Sequence, residues 1–589
     1  MHISNLKIRN FRSIENIDIN LNKGLNVLIG ENNSGKTAII DILRLILDKG
    51  NYPNEVYWKE SDFRIDSNSN DIKPIEFDIR FQPEDEREIM WFNELHVISY
   101  DEETLKHYLE IHGRIRIIKS KGSTKIKREF WGGRDEERKI PWNIWNALNY
   151  IYLSPLRDID RDLKPNNKNL LTKFFLNLSE LKEEENYEEN MSQIIKENFN
   201  AKEWVNLLDE GKEKITTHLT KMNFLDNNLD IDINFSTFEF EDILKKLIIQ
   251  IPVNSDNKEY TKYFNLHQNG LGYNNLIYAS TIFGDIIQRN EVFKQNYNLL
   301  LIEEPEAHLH PQLENTFFNY LHSLDEKEQF QLIVTSHSPT ITAKTKLDNV
   351  IVMNNIDNKV CATPIKDTCL RDEDKIFLKK FLDVTKSQLF FAKGIILVEG
   401  ITEALLLPIF AKLLDKKENV EKYNLEKNGI EIIVTGTSFQ RYSGLFNSDN
   451  EKERLNIKCA VLTDDDKDKE DLSDGRLKNL EELSKNNFKV FLGKNTFEWE
   501  LFNNNLENDI ITKVFDGIHP KIRKSLINEG KEFNPDILVE KLSKNKTKSD
   551  FSFELAKYLE NNSEEIEEFN IPEYIKKAIY YVTGEDYDN

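Results

Sequence analysis

The chain has 589 residues, which leaves room for about three or four domains and excludes a single small module. Its 79 Lys and Arg residues against 102 Asp and Glu residues give a formal net charge of −23, which excludes a globally basic nucleic-acid binder. Its three cysteines form no CxxC pair, and no apolar run suits a membrane span or a signal peptide, so we expect a cytoplasmic protein with no membrane partner.

The start of the chain predicts an α/β nucleotide-binding domain. Residues 2–8 and 15–20 alternate apolar and polar side chains, as half-buried strands do. The apolar run 25–29 leads through a Gly-containing loop into an apolar-periodic helix over 37–47. Further strands are predicted at 75–81, within 114–130 and at 149–155.

Changes in composition divide the chain into four segments of an α/β protein. Leu, Lys, Glu and Asn dominate 163–260, which predicts a mostly helical insertion that could serve in dimerisation. Apolar strands separated by helical stretches in the last third have the βαβ rhythm of a parallel sheet. The predicted domains are an N-terminal α/β part at 1–162, the insertion at 163–260, a second α/β part at 261–385 that continues the first, and a Rossmann-like parallel-sheet domain with a helical tail at 386–589.

A phosphate-binding loop is predicted between the strand at 25–29 and the helix that follows it. The stretch GENNSGKT from Gly30 to Thr37 fits the pattern GxxxxGK[ST]. Glycines at 30 and 35, with Asn33 between them, let backbone N–H groups surround phosphates at the helix N-terminus. Lys36 would bind the β- and γ-phosphates of ATP, and Thr37 would ligate one Mg²⁺.

Two acids and a histidine follow later apolar strands. Glu303 and Glu304 end the run LLLI, so the first acid can hold Mg²⁺ and the second can orient or deprotonate the attacking water. His337 ends the strand LIVTS, in reach of a γ-phosphate.

The order of these motifs resembles that of ABC/SMC-type ATPases. In that superfamily a signature segment precedes the acid pair by about thirty residues, and here the matching segment is HQNGLGYNN with Gly270 and Gly272. It departs from the usual LSGGQ, and Glu303 replaces the usual Asp. Because one subunit's signature completes another's site in these ATPases, the resemblance implies a homodimer or a higher even oligomer.

A second constellation of carboxylates is predicted in the last third. Glu399 ends the strand GIILV and Glu403 follows at a helix start, while Asp464 and Asp466 end the strand AVLT. Four acids at the carboxyl edge of a parallel sheet repel one another unless hard cations bind there. Two Mg²⁺ or Mn²⁺ ions held there could hydrolyse a phosphodiester. The structural alternative is that the acids only cap helix N-termini.

This second pattern resembles the Toprim domain of topoisomerases, primases and some nucleases. Glu399, Gly400 and Glu403 match its EGxxE-like motif, Gly436 its middle glycine, and the two aspartates its DxD motif. An SMC-like ATPase followed by Toprim resembles the OLD (overcoming lysogenisation defect) family, which includes the nuclease subunit of Gabija anti-phage defence. The resemblance implies an ATP-binding endonuclease.

The family resemblance adds three further residues. A later acidic motif is matched by TFEWELF, in which either Glu498 or Glu500 would ligate metal. A basic residue before a C-terminal helix usually completes the nuclease site, and Lys548 is the best match. The alternative for Lys548 is a solvated surface lysine beside Lys544 and Lys546.

A basic stretch remains outside both constellations. It either contacts the DNA backbone or forms a solvated hairpin face, and its cations are Arg114, Arg116, Lys119, Lys121, Lys125, Lys127 and Arg128.

Together the motifs predict an ATP-regulated, divalent-metal-dependent DNA endonuclease in anti-phage defence. The alternatives are an SMC/RecF-like DNA-repair ATPase without nuclease activity and a nuclease effector that acts on RNA. A UvrD-like helicase partner is possible. The sequence leaves open whether ATP activates or restrains cleavage.

Overall fold

A computed structural model provides the structure. It describes residues 1–48, 56–65, 72–101, 104–120, 123–155, 170–182, 187–188, 190–191, 202–222, 231–234, 244–245, 247–252, 263–292, 297–326, 330–356, 358–383, 385–464, 480, 482–528, 532–561 and 568–584.

The chain forms two compact units. The first comprises Met1–Thr345 and Asn349–Ala362, and the second comprises Lys346–Asp348 and Thr363–Asn589.

The strands of the first unit belong to two large sheets and a small one. In chain order they are β1 (His2–Phe11), β2 (Ile14–Asn20), β3 (Leu25–Gly30), β4 (Ile75–Gln82), β5 (His96–Asp101), β6 (Thr104–Ser120), β7 (Ser123–Gly132), β8 (Leu148–Leu153), β9 (Asp232–Asn234), β10 (Ile248–Pro252), β11 (Tyr263–Asn265), β12 (Tyr297–Glu303), β13 (Gln331–Ser336), β14 (Val350–Ile356) and β15 (Lys359–Pro364).

The helices of the first unit include the one after the phosphate-binding loop. In chain order they are α1 (Lys36–Leu47), α2 (Glu86–Trp91), α3 (Trp142–Ala147), α4 (Leu170–Glu180), α5 (Lys202–Met222), α6 (Leu271–Val292), α7 (Pro311–Glu326) and α8 (Pro339–Lys344).

One sheet of this unit is antiparallel and the other is mainly parallel. The antiparallel sheet has the order β2-β1-β4-β6-β5, with β7 also paired to β6, and β4 buries every second residue as its alternation predicts. The other sheet has the order β15-β14-β3-β13-β12-β8, and its strands from β14 to β8 run parallel. Helix α1 joins the core beside both sheets, with Ile39, Ile40 and Leu43 fully enclosed.

The described part of the predicted insertion contains α4 and α5. It also contains short strands, since β9 and β10 pair with each other and β11 extends the same small sheet. The sequence predicted a mostly helical segment here and gave no signal for these strands, because they are too short to set a period of two.

The second unit is a parallel sheet with helices packed around it. Its strands are β16 (Gly394–Val398), β17 (Ile430–Val434), β18 (Lys458–Asp464) and β19 (Phe488–Gly493). Its helices are α9 (Asp372–Phe381), α10 (Ile401–Glu418), α11 (Phe497–Asn503), α12 (Ile510–Ile518), α13 (Ile522–Asn528), α14 (Pro535–Asn545), α15 (Lys548–Asn561) and α16 (Glu573–Thr583). The strand order is β17-β16-β18-β19, and all pairs run parallel.

The apolar strands explain why this sheet forms. Every residue of β16 is buried, as expected for a strand that helices cover on both faces. Within the part of the chain that the structure describes, no helix combines the length and apolar character that crossing a membrane requires.

Candidate nucleotide and metal sites

The loop between β3 and α1 has the backbone geometry of a phosphate cradle. Gly30 has a φ of 146°, and a Cβ atom there would lie 2.0 Å from the carbonyl oxygen of Met353. Gly35, at the N-terminus of α1, has a φ of 92°, and Asn33 has a φ of 61°. The close approach and the left-handed turn both require glycine, so the sequence pattern is explained by the local backbone.

Lys36 lies inside this loop. Its ammonium group donates to the carbonyl oxygens of Gly30 at 2.8 Å and Glu31 at 2.6 Å, and to Ser34 Oγ at 3.1 Å. Burial lowers the pKa of Lys36 to about 8, although the charges of nearby glutamates oppose that shift. The amine is therefore held where an anionic phosphate would replace carbonyl oxygens as its partner.

Glu303 ends β12 as a buried acid. It accepts a hydrogen bond from the Tyr152 hydroxyl and another from Thr37. Burial raises the pKa of Glu303 above its ordinary value. The Arg44 guanidinium lies 3.5 Å from the centre of the Tyr152 ring, so the tyrosine is fixed on both sides. The structure thus brings together Glu303 and Thr37, the two residues predicted to hold the nucleotide's Mg²⁺.

Glu304 and His337 lie together at the next strand end. Glu304 has a φ of 43°, and its backbone N–H donates to the carbonyl of Thr335 at 2.9 Å. His337 Nε2 lies 3.6 Å from Glu304 Oε1. Burial and the charge of Lys36 lower the pKa of His337, so the imidazole is neutral at neutral pH. Lys36, Glu304 and His337 therefore share one electrostatic environment.

Glu306 is a residue that the sequence reasoning missed. Its Oε1 accepts from Ser336 Oγ at 3.0 Å and from the backbone N–H of His337 at 2.6 Å, while its Oε2 is buried with no hydrogen-bond partner among the described residues. Burial raises the pKa of Glu306 to about 7. Only its place in the stretch EEPE, three residues after Glu303, could have drawn attention to it.

The predicted signature segment lies against the chain that follows β12. A Cβ atom on Gly272 would lie 2.9 Å from the carbonyl oxygen of His308, and Asn275 Nδ2 donates to the carbonyl of Ala307 at 3.1 Å. A Cβ atom on Gly270 would meet no described atom within 4 Å. The atoms nearest to a Cβ on Gly272 thus belong to the chain after β12.

The topology of the second unit brings the predicted carboxylates to one sheet edge. β16 and β18 are neighbours, Leu397 pairs with Val461, and Glu399 and Asp464 stand at the carboxyl ends of these strands. Because parallel strands end at the same edge, the two acids come together although 65 residues apart. The next residue of the DxD motif, Asp466, lies outside the described residues.

Hydrogen bonds hold three of these acids in place. Glu399 accepts from the hydroxyl of Thr463, and Asp464 Oδ2 accepts from the backbone N–H of Phe497 at 3.1 Å. Glu403 is buried in the first turn of α10, where its carboxylate accepts from backbone N–H groups, including that of Gly400.

The buried acids repel one another. Burial, reinforced by the charges of Glu399 and Glu403, raises the pKa of Asp464 to about 8. Burial also raises the pKa of Glu403, and the charges of Glu498 and Glu399 add to that shift. The charges of four carboxylates thus act on one another at this sheet edge, and a bound cation would relieve their repulsion. They are Glu399, Glu403, Asp464 and Glu498.

The two acids of α11 occupy different environments. Glu498 is buried, and its Oε2 accepts from the ammonium of Lys548 at 3.0 Å. Glu500 Oε1 instead accepts from the backbone N–H groups of Lys494 at 3.1 Å and Asn495 at 3.2 Å. Glu498 therefore pairs with Lys548, whereas Glu500 binds the backbone of the loop before α11; the charges of both act on Tyr574.

Two hydroxyl groups in this region have no hydrogen-bond partner among the described residues. They are Tyr574 OH on α16 and Thr496 Oγ1 just before α11, and both atoms are buried. Sequence reasoning missed both residues: Tyr574 belongs to no motif, and Thr496 begins the stretch TFEWELF, in which only the two glutamates were singled out.

The donor set fits a hard divalent cation. Carboxylate oxygens are the ligands that Mg²⁺ and Mn²⁺ prefer. Among the described residues no three His, Cys, Asp or Glu side chains stand close enough to enclose an ion as placed, but this set lacks Asp466. Two buried hydroxyls near these acids, those of Tyr574 and Thr496, have no hydrogen-bond partner among the described residues, so the donor chemistry around the cluster can accommodate a further polar partner.

Two arginines of the basic stretch form ion pairs with glutamates. Arg114 forms ion pairs with Glu76 at 3.0 Å and Glu136 at 3.4 Å, and Arg116 pairs with Glu129. All three glutamates lie outside the basic stretch from Arg114 to Arg128, which contains no acid. The pairing favours a structural role for these two arginines.

Comparison with known proteins establishes the class. Residues 1–342 match the AAA ATPase domain family, and residues 390–466 match the TOPRIM domain of overcoming-lysogenization-defect-like proteins. The first match covers more than half of the chain, so the chain belongs to the AAA ATPase domain family, and the second adds an OLD-like TOPRIM domain.

Curated relatives match most of the length of this chain. Endonuclease GajA of Bacillus cereus (strain HuB5-5) is 24% identical, with 99% of both chains covered. Old nuclease of Escherichia phage P2 is 23% identical over 79% of this chain and 78% of its own. The Smc head domain of Pyrococcus furiosus, bound to the C-terminal domain of ScpA, is 16% identical, covers 65% of this chain and 100% of its own, and has a TM-score of 0.39.

These matches confirm the predicted OLD-type family and the α/β fold class, and they support an ATPase-linked nuclease. The two domains imply the use of a nucleotide and of a divalent metal.

Proposed function

We propose that the chain is an ATP-regulated, divalent-metal-dependent endonuclease that cleaves DNA phosphodiesters in anti-phage defence. The observation that carries the proposal is the convergence of Glu399, Glu403, Asp464 and Glu498 at one edge of the second unit's sheet. Relatives that span most of the chain are named endonuclease or nuclease, which supports the same reaction class.

The residues that would hold the metal are the acids of this edge. Glu399, Glu403 and Asp464 are the first candidates, with Asp466 completing the DxD pair and Glu498 as the acid from α11. Glu500 is a weaker candidate, since its Oε1 already binds two backbone N–H groups. Two Mg²⁺ or Mn²⁺ ions bound here would activate a water molecule and stabilise the leaving oxygen of a phosphodiester.

Lys548 supplies the positive charge of the site. Its ammonium is held by Glu498 at 3.0 Å and its side chain is 40% exposed, so a phosphate can reach it from solvent. A cation at that position stabilises the charge that develops on the phosphorus oxygens. Lys548 contributes a point charge, because an ammonium lacks the flat geometry that allows a guanidinium to form paired bonds.

ATP would bind in the first unit. Backbone N–H groups from Gly30 to Lys36 would bind its phosphates, Thr37 and Glu303 would hold one Mg²⁺, and Glu304 would orient the attacking water with His337 nearby. Gly272 lies beside His308 in the chain after β12, and with Gly270 it matches the signature segment that, in the ATPases this chain resembles, completes the nucleotide site of a second subunit. The proposed assembly is therefore a homodimer or a larger even oligomer.

Cleavage of supercoiled plasmid tests the proposal. We expect nicked or linear DNA with Mg²⁺ or Mn²⁺, none with EDTA, and loss of cleavage in Glu399→Gln. Glu431→Gln is the matched control, because Glu431 has a pKa raised by burial but pairs with Ile395 at the opposite end of the sheet. Equal cleavage by Glu399→Gln and wild type would overturn the proposal.

Two other outcomes would identify the alternatives. DNA-stimulated ATP hydrolysis that is lost in Glu304→Ala, with no cleavage under any metal, would identify a repair ATPase. Cleavage of RNA in competition with excess DNA would identify an RNA-directed effector. A helicase partner stays a prediction from the family resemblance, tested by whether the neighbouring gene encodes a UvrD-like protein.

A further inference from the structure

The inference concerns Tyr574, in the first turn of the last helix, α16. Its hydroxyl is buried and has no hydrogen-bond partner among the described residues. A buried phenol normally finds a partner, because leaving it without one carries a desolvation cost. The hydroxyl therefore points to an interaction that another state of the protein supplies.

The position of the ring identifies that interaction. A Cβ atom on Gly493 would lie 3.1 Å from Tyr574 Cζ and 3.4 Å from Asp464 Oδ1, so the ring end and the carboxylate flank the same point. Gly493 pairs with Asp464 in the sheet, and the absence of a side chain there allows the ring its close approach. Helix α16 itself packs on β16, β18 and β19.

The charges around the hydroxyl agree with this placement. Burial raises the pKa of Tyr574 above its ordinary value, and Asp464 contributes the largest of the neighbouring charges, followed by Glu403. A tyrosine hydroxyl carries its proton at neutral pH, so it can donate to the carboxylates that it faces.

We propose that Tyr574 is a positioning residue of the metal site, whose hydroxyl donates to Oδ1 of Asp464 when a divalent cation is bound. The inference rests on the proposed nuclease function. The backbone N–H of Phe497 already holds Oδ2, so the two donors together would fix the plane of the carboxylate. Each carboxylate oxygen accepts more than one interaction, so Asp464 could still ligate a metal. Loss of a residue that hydrogen-bonds to a metal ligand typically lowers metal affinity about 10- to 100-fold.

Tyr320 provides a matched control. Its hydroxyl is also buried and without a partner among the described residues, but its ring packs against His218 and Phe283 in the first unit. Tyr320→Phe and Tyr574→Phe therefore remove the same group, and only the second removes it from beside carboxylates.

The experiment is a Mn²⁺ titration of the full chain without nucleotide, followed by electron paramagnetic resonance. We expect Tyr574→Phe to weaken Mn²⁺ binding at least about tenfold and to slow cleavage at saturating DNA, with ATP hydrolysis and DNA affinity unchanged. Tyr320→Phe should match wild type in all four measurements. A Mn²⁺ curve of Tyr574→Phe that superimposes on wild type would overturn the inference.

A second variant covers the case in which Tyr574→Phe does not fold. Gly493→Ala would push the ring away from Asp464, and it should weaken Mn²⁺ binding in the same way; an unchanged curve would overturn the inference. If wild type binds Mn²⁺ but cleaves no nucleic acid, only the proposed function is refuted. The comparison of Mn²⁺ affinities between wild type and Tyr574→Phe would still test the role of Tyr574 at the metal site.

Discussion

The carboxylate of Glu306 accepts a hydrogen bond from the backbone N–H of His337 at 2.6 Å. This bond joins the chain after β12, which carries Glu303 and Glu304, to the chain after β13, which carries His337. Since the same carboxylate oxygen also binds Ser336, the relative placement of the acid pair and the histidine depends on one buried side chain.

Glu306→Gln is expected to stabilise the protein at neutral and higher pH. Burial raises the pKa of Glu306 from 4.5 to about 7, so the folded state binds the proton more tightly than the unfolded state. Wild-type stability should therefore fall as the pH rises from about 4.5 to about 7, by at most about 3 kcal/mol. The amide oxygen of the variant keeps both hydrogen bonds and does not ionise.

Thermal unfolding at pH 5 and pH 8 checks this prediction. The advantage of Glu306→Gln over wild type should be larger at pH 8. Glu86→Gln, at an exposed position of α2, should have the unfolding temperature of wild type at both pH values. A variant that loses stability relative to wild type between pH 5 and pH 8 would contradict the assignment.

ATP affinity is expected to fall as the pH rises through the pKa of Lys36. That pKa is about 8 without nucleotide because of burial, and phosphate binding favours the charged amine. Binding must therefore take up a proton above pH 8, which predicts about tenfold weaker ATP binding at pH 9 than at pH 7. Isothermal titration of the protein with ATP at three pH values measures this change in affinity.

Two variants accompany the ATP titration. Lys36→Met should abolish binding at every pH. Lys366→Met should leave binding and its pH dependence unchanged, because Lys366 is another lysine whose pKa burial lowers but lies in the second unit. ATP affinity that stays constant from pH 7 to pH 9 would contradict the role of Lys36.

Lys548→Met is expected to reduce DNA cleavage about 100-fold or more, since it removes the cation proposed to stabilise the developing charge. It also leaves Glu498 buried without its ion-pair partner. Lys544→Met is the control, since Lys544 pairs with Glu540 at the surface and should stay within about twofold of wild type in the same cleavage assay. Equal losses in both variants would indicate a general electrostatic effect on DNA binding.

Metal removal is expected to destabilise wild type more than Asp464→Asn. Without a cation, burial and the charges of Glu399 and Glu403 raise the pKa of Asp464 to about 8, so the folded protein must bind a proton there at neutral pH at a cost in stability. The asparagine removes that cost and keeps an acceptor for the backbone N–H of Phe497. In EDTA the unfolding temperature of the variant should exceed that of wild type by about 2–5 °C. Added Mg²⁺ should raise the unfolding temperature of wild type and of Glu431→Gln but barely raise that of Asp464→Asn. An equal rise in all three proteins would contradict a metal site at Asp464.

Much of the fold was predictable from local pattern. β3, β12 and β18 each coincide with a predicted apolar run, and β12 and β18 end at the acids Glu303 and Asp464. Apolar residues followed by a polar residue of stated chemistry form a local signal, and the parallel-sheet rule then brings such ends to one edge. The strands predicted within 114–130 are also present, since β6 and β7 pair from Ile111 with Gly132 to Ser120 with Ser123.

The missed residues all act through contacts distant in sequence. Tyr574 approaches Asp464 from a helix more than one hundred residues later, and α16 carries only the periodicity of an amphipathic helix. Glu306 bonds to a backbone N–H, which no side-chain motif encodes. The different partners of Glu498 and Glu500 could likewise not be predicted, because they depend on the position of Lys548 and of the loop before α11.

The most direct test of the central claim measures DNA cleavage and ATP hydrolysis in the same samples of wild type and Asp464→Asn with Mn²⁺. The account predicts that wild type nicks plasmid DNA, that Asp464→Asn does not, and that both hydrolyse ATP at the same rate. Equal cleavage by the two proteins would contradict it.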